Sequence, residues 1–180
     1  MFALQTGGKK DMRLLLATTA ALALLTAGAV QAQTGSTDVE LRQAIARDYD
    51  ANLGALFDDF HRNPELSGME VRTAGIMAAQ LTSLGYDVTT GVGGTGVVAV
   101  LRNGDGPTVM IRADMDGLPL AEASGVANPS TAVQVDSDGV EKPVMHACGH
   151  DVHITALIGT ARQMMARRQD WSGTLVLIAQ

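Results

Sequence analysis

A chain of 180 residues is long enough for one domain with a sizeable core. Hydrophobic residues make up 46% of the chain and charged residues 18%, a balance that excludes a wholly disordered protein. The formal net charge of -6 at pH 7 argues against a phosphate-binding surface, which needs clustered lysine and arginine. We therefore expect a folded protein that does not bind nucleic acid.

Residues 1–32 have the pattern of a secretory signal. Lys9, Lys10 and Arg13 precede an uncharged apolar run at residues 14–30, and Ala32 is the small residue that a signal peptidase reads. This pattern predicts export to the periplasm or the medium, with no membrane span left after cleavage. The alternative is an uncleaved anchor, because the run lies at the short limit of a membrane-spanning helix.

Translation starts at Met1 or Met12, and residues 33–37 form a polar linker. In residues 38–180, hydrophobic periodicity and turn residues predict helices at 38–62, 69–84 and 151–168, and strands at 86–90, 97–102, 108–112 and 174–179. Residues 108–112 are apolar enough for a central strand. Residues 113–144 read as one long loop, and a loop of that length is usually functional. This order predicts an α/β fold in which helices flank a mixed sheet.

The segment G-V-G-G-T-G at residues 91–96 matches the dinucleotide-binding pattern G-x-G-x-x-G. That site needs a helix directly after the glycines, so that the helix N-terminus receives the pyrophosphate. Here a β-branched strand follows, at residues 97–101. We therefore interpret the segment as a turn between two strands.

The only cysteine and three of the four histidines lie within residues 146–153. Thiolate and imidazole are preferred ligands of zinc and similar metals, and Gly149 lets Cys148 and His150 converge. A ligating histidine usually bonds a carboxylate or carbonyl through its second ring nitrogen, a role open to Asp151 or Asp116. The alternative interpretation is a buried thiol among surface histidines.

Asp114 and Asp116 follow the predicted strand at residues 108–112. Ligands bind beyond the carboxyl ends of strands in α/β sheets, so these carboxylates are placed to bind a metal, orient a histidine or hold water. An acidic turn at a strand end is the plainer alternative. Asp136 and Asp138 lie in a Ser/Gly-containing stretch and read as solvated.

Three segments carry a family resemblance: H-R-N-P-E-L-S (61–67), R-A-D-M-D-G-L-P (112–119) and H-A-C-G-H-D-V-H (146–153). Together they resemble the aminoacylase/carboxypeptidase-type metallopeptidases. Within that family they most resemble the amidohydrolases, a branch that includes hippurate hydrolase, auxin-conjugate hydrolase and N-acetyl-diaminopimelate deacetylase. Asn63 stands where that family usually has a histidine, at a position that is not a ligand.

The resemblance implies an α/β catalytic domain with a smaller inserted domain, often used for dimerisation. It implies one or two divalent metal ions, usually zinc, manganese, cobalt or nickel, with Cys148 and His150 as ligands and Asp116 in a supporting role. The implied reaction is metal-dependent hydrolysis of N-acyl amino acids or small peptide-like amides, and the implied full-length assembly is a homodimer.

The family's general-base glutamate lies in a Gln-Pro-x-Glu-Glu stretch, which would begin at Gln180. We therefore expect residues 38–180 to be the N-terminal part of a catalytic domain, without the inserted domain and inactive alone. We also expect the strand at 174–179 to present an exposed apolar edge. The alternatives are a metal-binding or redox module and a non-catalytic remnant of such an enzyme.

The signal pattern leads to a first prediction. Protein recovered from the periplasm or the medium should begin at Gln33, because Ala32 is the small residue before the expected cleavage site. N-terminal sequencing and intact-mass measurement check this. A mature protein that retains residues 14–30 would contradict cleavage and indicate a membrane anchor.

Overall fold

The computed structural model describes residues 38–180, so the predicted signal and linker, residues 1–32 and 33–37, lie outside the described part. Residues 45–180 form one compact unit, and the described residues that precede this unit are helical. None of the helices among residues 38–180 has the length and apolarity needed to cross a membrane.

The predicted helices and strands are confirmed, with ends shifted by one or two residues. The helices are α1 (38–48), α2 (Gly54–Arg62), α3 (Val71–Ser83) and α4 (His150–Ala166), with a π-helical turn at Tyr49–Leu53 and a 3₁₀ turn at Arg168–Asp170. The strands are β1 (Asp87–Val92), β2 (Gly96–Asn103), β3 (Thr108–Ala113), β4 (Val133–Val135), β5 (Glu141–Pro143) and β6 (Gly173–Ala179). As predicted, residues 93–95 form a turn between β1 and β2.

The main sheet has the strand order β1-β2-β6-β3. β2 is antiparallel to β1 and β6, whereas β3 is parallel to β6, so the predicted mixed α/β sheet is confirmed. Two expectations about position are wrong. Within residues 38–180, β3 is an edge strand with Val109 and Met110 exposed, and β6 lies between two neighbours.

The connection between β3 and β6 explains why β3 lies at the edge of the sheet and β6 in its interior. The chain leaves β3, passes through α4 and returns in parallel, and it enters the sheet between β2 and β3. Local hydrophobicity cannot reveal that insertion, because β3 and β6 are both apolar. The alternating burial of β6, with Leu175 and Leu177 fully covered, reflects its interior place.

The predicted loop at residues 113–144 contains a β-hairpin, formed by β4 and β5. Asp136 shapes its turn, because its Oδ1 accepts hydrogen bonds from the backbone N–H groups of Asp138 and Val140 at 3.0 and 2.9 Å. Asp136 is therefore a turn-forming residue rather than merely solvated. Strands of three residues are too short to give a periodic signal.

The core lies between one face of the sheet and the helices α2, α3 and α4. It is mainly aliphatic, as the 3% aromatic content requires. Its buried members include Met77, Leu81, Val97, Ala99, Ile154, Ile158 and Leu177. Tyr86 is an exception: its hydroxyl donates to the Ala161 carbonyl at 3.1 Å, and burial raises the pKa of Tyr86 to about 12.

Candidate metal centre

Two short backbone pairings join the three loops that carry the sequence motifs. Leu66 pairs with Gly117, and the Gly117 N–H donates to the Glu65 carbonyl at 2.6 Å. Leu118 pairs with Met145 through two hydrogen bonds of 2.8 and 3.1 Å. The second motif thus lies between the first and the third and fixes the distance between them.

Gly117 allows this close approach. A Cβ atom at this position would lie 2.7 Å from Val144 Cγ1 and 2.9 Å from Pro64 Cβ. Contacts that short do not occur between real carbon atoms, and neither a proline ring nor a buried valine can move away easily. The glycine is therefore required by packing.

Glu65 explains part of the first motif. Its two carboxylate oxygens accept hydrogen bonds from the backbone N–H groups of Arg72 and Thr73, at 3.0 and 2.7 Å. These are otherwise unpaired amides at the N-terminus of α3, where the helix dipole also favours a negative charge. The motif therefore anchors the start of α3 as well as the loop at Gly117.

The third motif turns sharply into α4. Gly149 has φ of 76° and is the residue before the helix, so it has the left-handed conformation that glycine adopts without strain. His150 is the first residue of α4, and Cys148 is exposed. Both predicted ligands therefore lie where a helix begins.

Asp116 holds His150. The Nδ1 atom of His150 lies 2.9 Å from the Asp116 backbone oxygen and 2.8 Å from its Oδ1 atom. Because Nδ1 is occupied, Nε2 is the nitrogen left to bind a metal. The sequence leaves two candidates, Asp116 and Asp151, for the partner of His150. Asp116 is that partner in the structure, whereas Asp151 Oδ2 lies 2.8 Å from His61 Nδ1.

One group of potential metal-binding atoms lies in the described part of the chain. Ligand atoms of Asp114, His150 and His153 are all within 4.8 Å of one another, and Cys148 is not a member of this group. Sequence reasoning gave His153 no role. The spacing in the sequence could have indicated His153 as a neighbour of His150, because residues three apart on a helix share a face and His153 is three residues after His150.

His146, the first histidine of the third motif, is buried, with 7% of its surface exposed. Its Nδ1 is 3.2 Å from the Asp116 backbone oxygen, while its buried Nε2 has no hydrogen-bond partner. Burial lowers the pKa of His146, and the Asp151 carboxylate opposes that shift in part. His146 is therefore a buried imidazole that shares an acceptor with His150.

A cavity of about 390 Å³ lies beside Asp116. Its walls come from the loop after Leu66, the segment 116–119 and the β4–β5 hairpin. Lys142 of the hairpin contributes a cation, at 3.9 Å from Asp136 Oδ2. Asp116 thus borders both the cavity and, through its contact with His150, the group of potential ligands.

Residues 110–180 match the model of peptidase family M20/M25/M40. Among similar proteins, hippurate hydrolase of Campylobacter jejuni is 40% identical over 121 residues, and thermostable carboxypeptidase 2 of Saccharolobus solfataricus is 43% identical over 122 residues. Each alignment covers 67% of this chain. Residues 110–180 of the chain therefore belong to this peptidase family. The resemblance read from the three motifs is thereby confirmed.

Solved structures agree with this membership. The YXEP protein of Bacillus subtilis, a dinuclear metal binding peptidase from the M20 family, is 33% identical and superposes with a TM-score of 0.64. That match covers 74% of this chain and 35% of the YXEP chain. The chain likewise spans 29% of the length of each of the two relatives named above.

Close packing at Gly117 leads to a second prediction. Gly117→Ala should lower the free energy of unfolding by about 1–3 kcal/mol, because the added methyl group overpacks against Pro64 and Val144. Urea denaturation followed by circular dichroism measures the change.

Gly75→Ala is the matched control. Gly75 lies within α3 and has no atom within 4 Å of an added Cβ, so this substitution should stabilise the protein by about 0.5–1 kcal/mol through helix propensity alone. Equal effects of the two substitutions would contradict the packing argument.

Proposed function

We propose that the full-length protein is a metal-dependent hydrolase of linear amides, acting on N-acyl amino acids or small peptide-like amides. Membership of the M20/M25/M40 family and the similarity to hippurate hydrolase support the reaction class. The observation that carries the proposal is the convergence of Asp114, His150 and His153 at the start of α4, which begins two residues after Cys148.

These residues suit a divalent metal. Imidazole and thiolate favour zinc and its neighbours, and carboxylate oxygen also suits manganese. We propose Cys148 and His150 as ligands, as the resemblance implies, with Asp114 and His153 as adjacent donors for one or two ions of zinc, manganese, cobalt or nickel. The contacts of Asp116 with Nδ1 of His150 fit the role of His150 as a ligand, because they leave Nε2 free to bind a metal.

A divalent metal held there would supply a Lewis acid for the amide carbonyl and for water. Residues of the chain hold and orient the proposed metal donors. Asp116 fixes the tautomer and the direction of His150. Asp114 is half-buried and already pairs with Arg112 at 2.5 Å, so its carboxylate is held at the carboxyl end of β3. The Arg112 guanidinium thereby limits the freedom of a proposed metal donor.

Three further proposals accompany the activity. The signal pattern of residues 1–32 supports export to the periplasm or the medium. The net charge of -6 supports a small-molecule amide substrate over nucleic acid. The family resemblance supports a homodimer for the full-length protein.

Metal binding gives the third prediction. Protein titrated with cobalt(II) should develop a thiolate-to-cobalt charge-transfer band in the near ultraviolet, because Cys148 is the only thiol in the chain. Cys148→Ser should abolish the band. His153→Asn should keep the band and weaken cobalt binding, since it removes a neighbouring donor but leaves the thiolate in place.

The spectra separate two possible errors. Identical spectra for the wild type and Cys148→Ser would show that the thiolate is not a ligand. Unchanged cobalt affinity in His153→Asn would remove His153 from the proposed donors and leave Cys148, His150 and Asp114.

The fourth prediction concerns activity. Protein produced from its complete gene should release glycine from hippurate, or amino acids from N-acetyl amino acids, when zinc, manganese, cobalt or nickel is present. Chelation or Cys148→Ser should reduce the rate to background. Tight metal binding without turnover of any of these amides would instead support a metal-binding module.

A further inference from the structure

His61 of α2 connects two buried carboxylates. Its Nδ1 lies 2.8 Å from Asp151 Oδ2, and its Nε2 lies 3.3 Å from Glu122 Oε1. The exposed fractions of the three side chains are 16% for His61, 5% for Asp151 and 1% for Glu122. The imidazole thus links three parts of the chain that are distant in sequence: α2, the loop after β3, and α4.

Both carboxylates are also fixed from their other sides. Asp151 Oδ1 accepts the Val152 N–H at 2.8 Å. Glu122 accepts the Ser124 hydroxyl and the Ser130 N–H, each at 2.5 Å, and the Ser124 hydroxyl is the main reason why the pKa of Glu122 is lowered. His61 therefore hydrogen-bonds one rigidly held carboxylate, that of Asp151, and lies within ion-pair distance of a second, that of Glu122, while its buried Nε2 makes no hydrogen bond.

The place of Asp151 gives this link its significance. Asp151 directly follows His150 and lies in the first turn of α4, which also carries His153. The residue that caps this turn is Gly149, which has no side chain with which to hold the helix end. The bond from His61 to Asp151 therefore fixes the start of α4 against another helix.

We propose that His61 is a positioning residue: through Asp151 it fixes the first turn of α4, and with it the direction in which His150 and His153 face. The inference rests on the proposed metal-dependent function. His61 itself belongs to no group of ligand atoms and acts only through its carboxylate partners. Because Asp151 carries the effect, the contact at Nδ1 should matter more than the contact at Nε2.

Two conservative variants separate the two contacts. In His61→Asn the amide nitrogen replaces Nδ1, so the bond to Asp151 remains. In His61→Gln the amide nitrogen reaches the position of Nε2, so the contact with Glu122 remains and the bond to Asp151 is lost. We expect His61→Gln to weaken cobalt binding by about tenfold, the low end for a residue that supports a ligand indirectly, and His61→Asn to stay within about threefold of the wild type.

Arg162→Gln is the matched control. Arg162 also lies on α4 and pairs with Asp48 of α1, with its Nη2 atom 2.7 Å from Oδ1, but it is more than three turns from His150. This variant should lose a comparable amount of stability in urea denaturation and bind cobalt as the wild type does. An equal loss of cobalt affinity in Arg162→Gln and His61→Gln would overturn the proposal, because general destabilisation would then explain both.

A second readout does not depend on metal. Nitrogen-15 spectra of the imidazole rings in the metal-free protein report the tautomer of His150. It should be single in the wild type and in His61→Asn, where Nδ1 stays on Asp116, and mixed in His61→Gln, where the released first turn of α4 lets Nδ1 move away from Asp116. A single tautomer in all three proteins, or cobalt affinity in His61→Gln equal to that in His61→Asn, would overturn the inference. Absence of cobalt binding by the wild type would contradict the proposed function instead, and the tautomer measurement would still decide the role of His61.

Discussion

The candidate metal centre depends on the close approach of three backbone segments around Gly117. Hydrogen bonds at Leu66–Gly117 and Leu118–Met145 hold these segments together, and the lack of a side chain at Gly117 lets Pro64 and Val144 close over it. A backbone hydrogen bond buried in this way is costly to break, because each separated group would lose its partner away from water. The loops that carry the motifs therefore behave as one structural unit.

The sheet determines where that unit lies. β3 and β6 are parallel, and the Met115 N–H donates to the Gln180 carbonyl at 2.8 Å just beyond their carboxyl ends. Asp114 and Asp116 follow from β3 at this edge, and α4 begins nearby. Ligand sites in α/β sheets form at the carboxyl ends of strands, where the functional groups come from loops and not from the hydrogen-bonded strands themselves. The crossover through α4 thus places a helix N-terminus and two carboxylates at one edge.

Much of this arrangement was predictable from local sequence. The density of histidine and cysteine around Gly149 pointed to a metal, and Asp116 was among the partners expected for His150. The pairing of β6 with both β2 and β3 was not predictable, because apolar strands give no signal that tells an edge from an interior position. His61 was also missed as a partner of Asp151, since the two residues are 90 positions apart and only the fold brings them together.

One feature of Asp116 affects how the site responds to substitution. Its backbone oxygen faces the Nδ1 atoms of both His146 and His150, whereas its carboxylate reaches only His150. A backbone oxygen is present whatever amino acid occupies the position. Part of the orientation of both rings is therefore encoded in the path of the chain, and a mutational scan at position 116 would report only the contribution of the carboxylate. Evolutionary exchange of this side chain would leave the shared acceptor intact, provided that the neighbouring glycine kept the loop in place.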